Sequence, residues 1–101
     1  MNIPRLYVDF NEMLEPDLVL LSQTDEKTDS SGKIVKLYEG LAISIYMDDI
    51  DDQGNLDHLI AEGIVEKNTF QHPWGHAAKW CCRINEKGIS NESDARVEKI
   101  K

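Results

Sequence analysis

The sequence has no long apolar run. Its longest, Leu18 to Leu21, is four residues, far short of the ~20 that a membrane-spanning helix needs. Cysteine is scarce, and the only two, Cys81 and Cys82, are neighbours. Adjacent Cα atoms sit ~3.8 Å apart whereas a disulfide favours ~5.5 Å, so no disulfide framework is expected. The first residues, MNIPRLYVDF, lack a basic stretch leading into an apolar one, and no secretory signal is expected in this form of the chain. These absences predict a cytoplasmic protein with reduced thiols and no membrane partner. There is also no basic stripe or stacking platform, which disfavours nucleic-acid binding. Phosphate loops, serine or cysteine triads and carboxylate pairs with separated pKa values are missing as well. No enzyme activity and no cofactor are therefore expected.

What is present suits one modest core. The chain has 101 residues, 41% apolar and 30% charged, within the ordinary soluble globular range. The net charge of −8 is unevenly placed. Residues 1–66 carry fifteen Asp or Glu against four Lys or Arg, and residues 67–101 carry four against seven. An acidic face of this kind attracts cationic partners and speeds encounter with them. It also serves solubility.

Apolar residues alternate along several segments. In RLYVDF, Leu6, Val8 and Phe10 share one side and Arg5, Tyr7 and Asp9 the other. Asn11 to Pro16 reads as a connection, and Leu18 to Gln23 as a strand buried on both sides. Thr24 to Lys33 reads as a hairpin tip, with Gly32 taking the positive φ such turns need. KIVKLY returns as a strand, and Glu39-Gly40 marks a kink or bulge. Next, Leu41, Ile43, Ile45 and Met47 point inward while Ala42, Ser44 and Tyr46 point outward. Leu59 to Lys67 continues as a strand with a bend at Gly63, and Lys79 to Asn85 places Trp80, Cys82 and Ile84 on one face. Ser90 to Asp94 reads as mobile, and ARVEKI as a short strand or helix. The expectation is an all-β protein, a small antiparallel barrel or strongly bent sheet of five to six strands. Residues 1–89 form its one domain, and 90–101 a polar C-terminal tail or short closing element.

The succession LYEGLAISIYMDD, a glycine-containing turn, LIAEGIVEKN and KWCCRINEKGI resembles small bacterial SH3-like β-barrel proteins, many of unknown function. The resemblance spans Leu37 to Ile89, a little over half the chain. It implies an SH3-like barrel and leaves function open, because such barrels host many binding activities. The paired surface aromatics of proline-rich-peptide readers have no counterpart here, so that activity is not implied.

Two segments carry chemistry. Asp48, Asp49, Asp51, Asp52 and Asp57 cluster around Gly54 and Asn55. With Asp49 in first place, Asp51, Gln53, Gly54 and Asn55 follow a calcium-loop register, but Ile60 stands where a bidentate Glu is needed. The same aspartates suit a solvated turn or a docking surface for a basic protein partner, with Tyr46 or Trp74 as an anchor. In HPWGHAAKWCC, His72, His76, Cys81 and Cys82, with His58 upstream, are zinc-type ligands, but Pro73 and Gly75 break the helix that would align His72 and His76, and adjacent cysteines on a strand point to opposite sides. Cys81 shares a face with Lys79 and Arg83, whose charges favour a thiolate, making it the reactive-thiol candidate. Trp74 is expected to tuck over the barrel end or to serve as a contact anchor.

Together these readings predict a non-enzymatic interaction protein that docks a basic protein, of the inhibitor or immunity type. The alternative is a metal- or small-ligand-binding barrel using the acidic loop or the His/Cys loop. A monomer or weak homodimer is expected, since small barrels pair through edge strands.

Overall fold

A computed structural model describes residues 3–69 and 78–93. Their regular structure is strand, apart from helical backbone at Glu92 and Ser93. In chain order the strands are β1 (Leu6–Tyr7), β2 (Met13–Glu15), β3 (Leu18–Ser22), β4 (Glu26–Thr28), β5 (Ile34–Lys36), β6 (Ala42–Met47), β7 (Leu59–Lys67), β8 (Trp80–Ile84) and β9 (Ser90–Asn91). One sheet runs β1-β6-β7-β8-β3-β2, and β9 joins it beside β7. β4 and β5 form a separate hairpin.

The first and last strands of that path are consecutive in the chain. Val8 N–H still donates to the Tyr46 carbonyl of β6, and four residues later the Glu12 carbonyl accepts from Leu20 N–H of β3. A flat six-stranded sheet would hold its outermost strands ~24 Å apart. Four extended residues reach ~14 Å at most, and a tight turn, Glu12 N–H to the Asp9 carbonyl, shortens this stretch further. The sheet is therefore strongly curled, as the alternation predicts. All its pairings are antiparallel except β1 with β6, which run parallel. The expected purely antiparallel sheet is corrected at that one edge.

The curl encloses the main core: Leu6, Val8, Val19, Leu21, Leu37, Ile45, Ala61, Val65, Trp80, Cys82 and Ile84, with Phe10, Leu41 and Ile43 packed against it. Leu18, Leu20, Ala78 and Cys81 form a second cluster with Leu14. β3 thus buries both of its faces, which explains its unbroken apolar run. Trp80 faces the main core and its indole N–H donates to Asp25 Oδ1 at 2.9 Å.

Three local features depart from the sequence reading. β2 lies inside the expected connection Asn11 to Pro16, and β4 inside the expected hairpin tip. Both are three-residue strands, and β4 is Glu-Lys-Thr with no apolar alternation to betray it. Ser90 to Ser93 are not a loose tail. β9 pairs with Leu59 and Ile60, Glu92 N–H donates to the His58 carbonyl, and Ser93 binds the Asp57 carboxylate. ARVEKI lies outside the described residues.

Gly63 sits within β7 at the closest approach to β8, where a Cβ would overlap the Arg83 carbonyl oxygen and come 2.7 Å from Cys82 Sγ. The glycine is there for proximity, not for a bend. Gly63→Ala should lower the unfolding free energy by about 1–3 kcal/mol, read from urea denaturation. A wild-type midpoint would contradict this strand spacing.

Candidate functional site

The acidic segment forms a hairpin that prolongs β6 and β7. An isolated bridge pairs Ile50 with Leu56, and Asp57 N–H donates to the Asp49 carbonyl. At the tip, Asp51 Oδ1 accepts Gln53 N–H and Asn55 N–H, each at 2.9 Å, while Gly54 takes φ 84°. The tip is thus held by its own carboxylate, an Asx-type turn.

The five aspartates therefore do different work. Asp51 secures the turn, and Asp57 holds Ser93, accepting its Oγ–H at 2.8 Å and its N–H at 3.2 Å. Asp48 lies 3.2 Å from His58 Nε2, whose Nδ1 is 3.5 Å from Glu92. Asp52 is exposed and Asp49 half-buried, and no ion pair forms at either carboxylate among the described residues. Between these charges lie two apolar side chains that sequence reasoning passed over. Ile50 is 65% exposed and Leu56 63%, paired across the hairpin. The available signal was a lone apolar residue on each side of Gly54 within an otherwise polar loop.

Tyr46 is half-buried, its ring edge-on to Tyr7 at 5.4 Å and near His58 at 5.5 Å. Tyr7 is the more exposed member. Arg5, expected on an outward face, is instead buried at 7% exposure, with Nη1 3.3 Å from Glu92 and a buried Nε that has no partner among the described residues. Arg5, His58 and Glu92 thus tie the N-terminal segment, the foot of the hairpin and the end of β9 together.

The metal readings find no support in this geometry. Among the described residues no three His, Cys, Asp or Glu side chains are grouped to hold an ion. Of the candidates in the acidic loop, Asp51 has its Oδ1 engaged by the Gln53 and Asn55 amides of its own turn. His72, His76 and Trp74 lie outside the described residues.

Cys81 and Cys82 are free thiols with no exposed surface. Burial pushes the Cys81 thiol up to about 11, with Glu66 adding to the rise and Arg83 opposing it. Cys82 rises to about 12, again chiefly through burial. The cations expected to activate Cys81 are engaged elsewhere. Lys79 Nζ contacts Asp25 Oδ1 at 2.7 Å, and together with the Trp80 indole it holds the Asp25 carboxyl below its ordinary range. Arg83 binds Glu66 through Nε and Nη2, each at 3.1 Å, and meets Glu15 and Asp17 through Nη1. These carboxylates, Glu66 first, hold its guanidinium more firmly charged.

Comparisons with protein-family models, characterised proteins and solved structures found no match.

Thiol chemistry gives a direct check. A folded thiol that keeps its proton to about 11 or about 12 is ionised later than an unfolded one, which titrates near ~8.5. The thiol contribution to stability is thus intact below ~8.5 and declines as pH rises towards the folded values. At neutral pH, iodoacetamide should label neither cysteine until denaturant unfolds the chain. Rapid labelling of Cys81 in the native state would contradict its burial.

Proposed function

We propose that this protein is a non-enzymatic, cytoplasmic interaction protein, built as an SH3-like barrel of the bacterial kind, whose acidic hairpin docks a basic protein. An inhibitor or immunity role, covering a cationic site on the partner, is the form that suits it.

The observation that carries this reading is the apolar pair at the hairpin. Ile50 and Leu56 are exposed side by side and flanked in sequence by Asp48, Asp49, Asp51 and Asp52. A solvated turn needs no such pair. Burying a large aliphatic side chain is worth roughly 1.5–3 kcal/mol, which supplies affinity, while the surrounding carboxylates supply steering and rejection of anionic surfaces. The Asp51 turn holds the pair before contact, which limits the ordering cost of binding. Tyr46 and Tyr7 offer an adjoining aromatic surface, with Tyr7 the more accessible of the two. Trp74 keeps its place as an anchor candidate from the sequence.

The hairpin charges and the apolar pair should separate experimentally. Asp49→Lys with Asp52→Lys spares the turn carboxylate and should slow association with a basic partner, leaving a flatter dependence on salt. Ile50→Ser with Leu56→Ser should instead raise the dissociation rate, by about tenfold or more. Surface plasmon resonance against the captured partner reads both. Unchanged kinetics in both variants would falsify the hairpin as the docking element.

A further inference from the structure

The edge of β6 is only partly covered. β1 pairs with it at Ile45 and Tyr46 alone. The even-numbered residues of β6 present their N–H and C=O groups on that side, as the Val8 N–H bond to the Tyr46 carbonyl shows, whereas Leu41 faces β7 by accepting from Val65 N–H. Continuing β1 backward in this register would set Pro4 opposite Ile43 with its nitrogen at the Ala42 carbonyl, but proline has no N–H to donate. Arg5 is drawn the other way: its N–H donates to Ser30 Oγ at 2.9 Å and its carbonyl accepts from Ser30 N–H at 2.8 Å. Strand pairing with β6 on this side therefore ends at Leu6, and Pro4 only lines the adjoining groove. Among the described residues, no backbone group pairs with Ala42 on this side.

A groove of about 590 Å³ lies along the uncovered edge. Leu6, Val35, Leu41 and Ile43 give it an apolar wall, and Asp29 and Glu62 give it acidic positions. Val35 belongs to β5, whose only partner is β4. Two further apolar residues, Ile34 of β5 and Ile64 beside Ala42 in the register, are exposed at 63% and 49%. A bare strand edge next to apolar side chains is the arrangement by which an extended peptide adds to a sheet, backbone bonds giving affinity and side-chain pockets giving specificity.

We propose that the edge of β6 at Ala42–Ser44 receives an extended segment of a partner protein, added as a strand, with apolar side chains alternating with Lys or Arg. The apolar side chains meet Leu6, Val35 and Ile43. The cationic ones face Glu62, which forms no ion pair among the described residues. A second copy of this chain is the competing occupant, and a net charge of −8 on each copy opposes it. This seam is separate from the hairpin Asp48–Asp57 and stands whether or not the hairpin docks a partner.

The probe is a capped hexapeptide of alternating Lys and Val, titrated into the full chain and followed by two-dimensional amide NMR. Shifts should concentrate at Ala42–Ser44 and Ile34–Lys36. Ala42→Pro, a substitution an edge strand tolerates, and Glu62→Lys, which leaves the backbone intact, should each weaken binding by about tenfold. The same peptide N-methylated at alternate amides should not bind. The Asp49→Lys, Asp52→Lys variant should leave the location of the shifts unchanged, so a failed hairpin and a failed seam give different results. The proposal is overturned by shifts confined to Ile50–Leu56, by equal binding of the N-methylated peptide, or by no shifts at all. Concentration-dependent edge shifts without peptide would also overturn it, because the occupant would then be a second copy.

Discussion

The stretch from Val8 to Glu12 governs the rest of the structure. It is bonded to β6 at one end and to β3 at the other, and it is too short to span the sheet unless the sheet bends on itself. Curling brings Ile45, Val65, Val19 and Cys82 around one dry centre, all fully buried. It also demands a close approach of β7 and β8, which only a glycine at position 63 permits. Pro4 and the Ser30 contacts end the pairing early, so closure on one side leaves an edge uncovered on the other.

Charge is distributed by the fold in a way that the chain order hides. Two cations from the basic part of the sequence are matched by carboxylates from the acidic part. Lys79 and Arg83 are turned onto Asp25, Glu15, Asp17 and Glu66, which come from the acidic part or border it. Individually such exposed pairs are worth ~0–1 kcal/mol, though Arg83 gains from meeting three carboxylates at once. Arg5 is buried against Glu92. Part of the surplus negative charge is left at the hairpin, where Asp49 and Asp52 form no ion pair among the described residues. These two anions fall next to the exposed Ile50 and Leu56, and the proposed docking role rests on that coincidence.

Much of the fold was legible because period-two burial is a strong signal where one face is dry. Leu59–Lys67 was readable to the residue, Ile45, Trp80 and Ile84 were readable as inward, and Gly32 was readable as a positive-φ turn, observed at 89°. β2 and β4 were not legible, because three residues carry too little pattern and β4 holds no apolar residue. The parallel placement of β1 could not be read either, since alternation specifies a face but not a neighbour. At the candidate sites, residue types were visible and their partners were not. Cys81 has cations on either side in sequence, yet its environment is set by burial in a second cluster formed with Leu18 and Leu20. Arg5 looked like an outward polar residue, and only the arrival of Glu92 from the far end of the chain makes it a buried one.

β6 is paired along one edge and, among the described residues, bare at the start of the other. Amide hydrogen exchange measured residue by residue along β6 tests it most directly. Ile43 and Ile45, which face β7, should exchange slowly, and Ala42 and Ser44 should exchange quickly although they lie in the same strand. Uniform protection from Ala42 to Met47 would mean that another strand covers the edge, and uniform rapid exchange would mean that the curled sheet does not form.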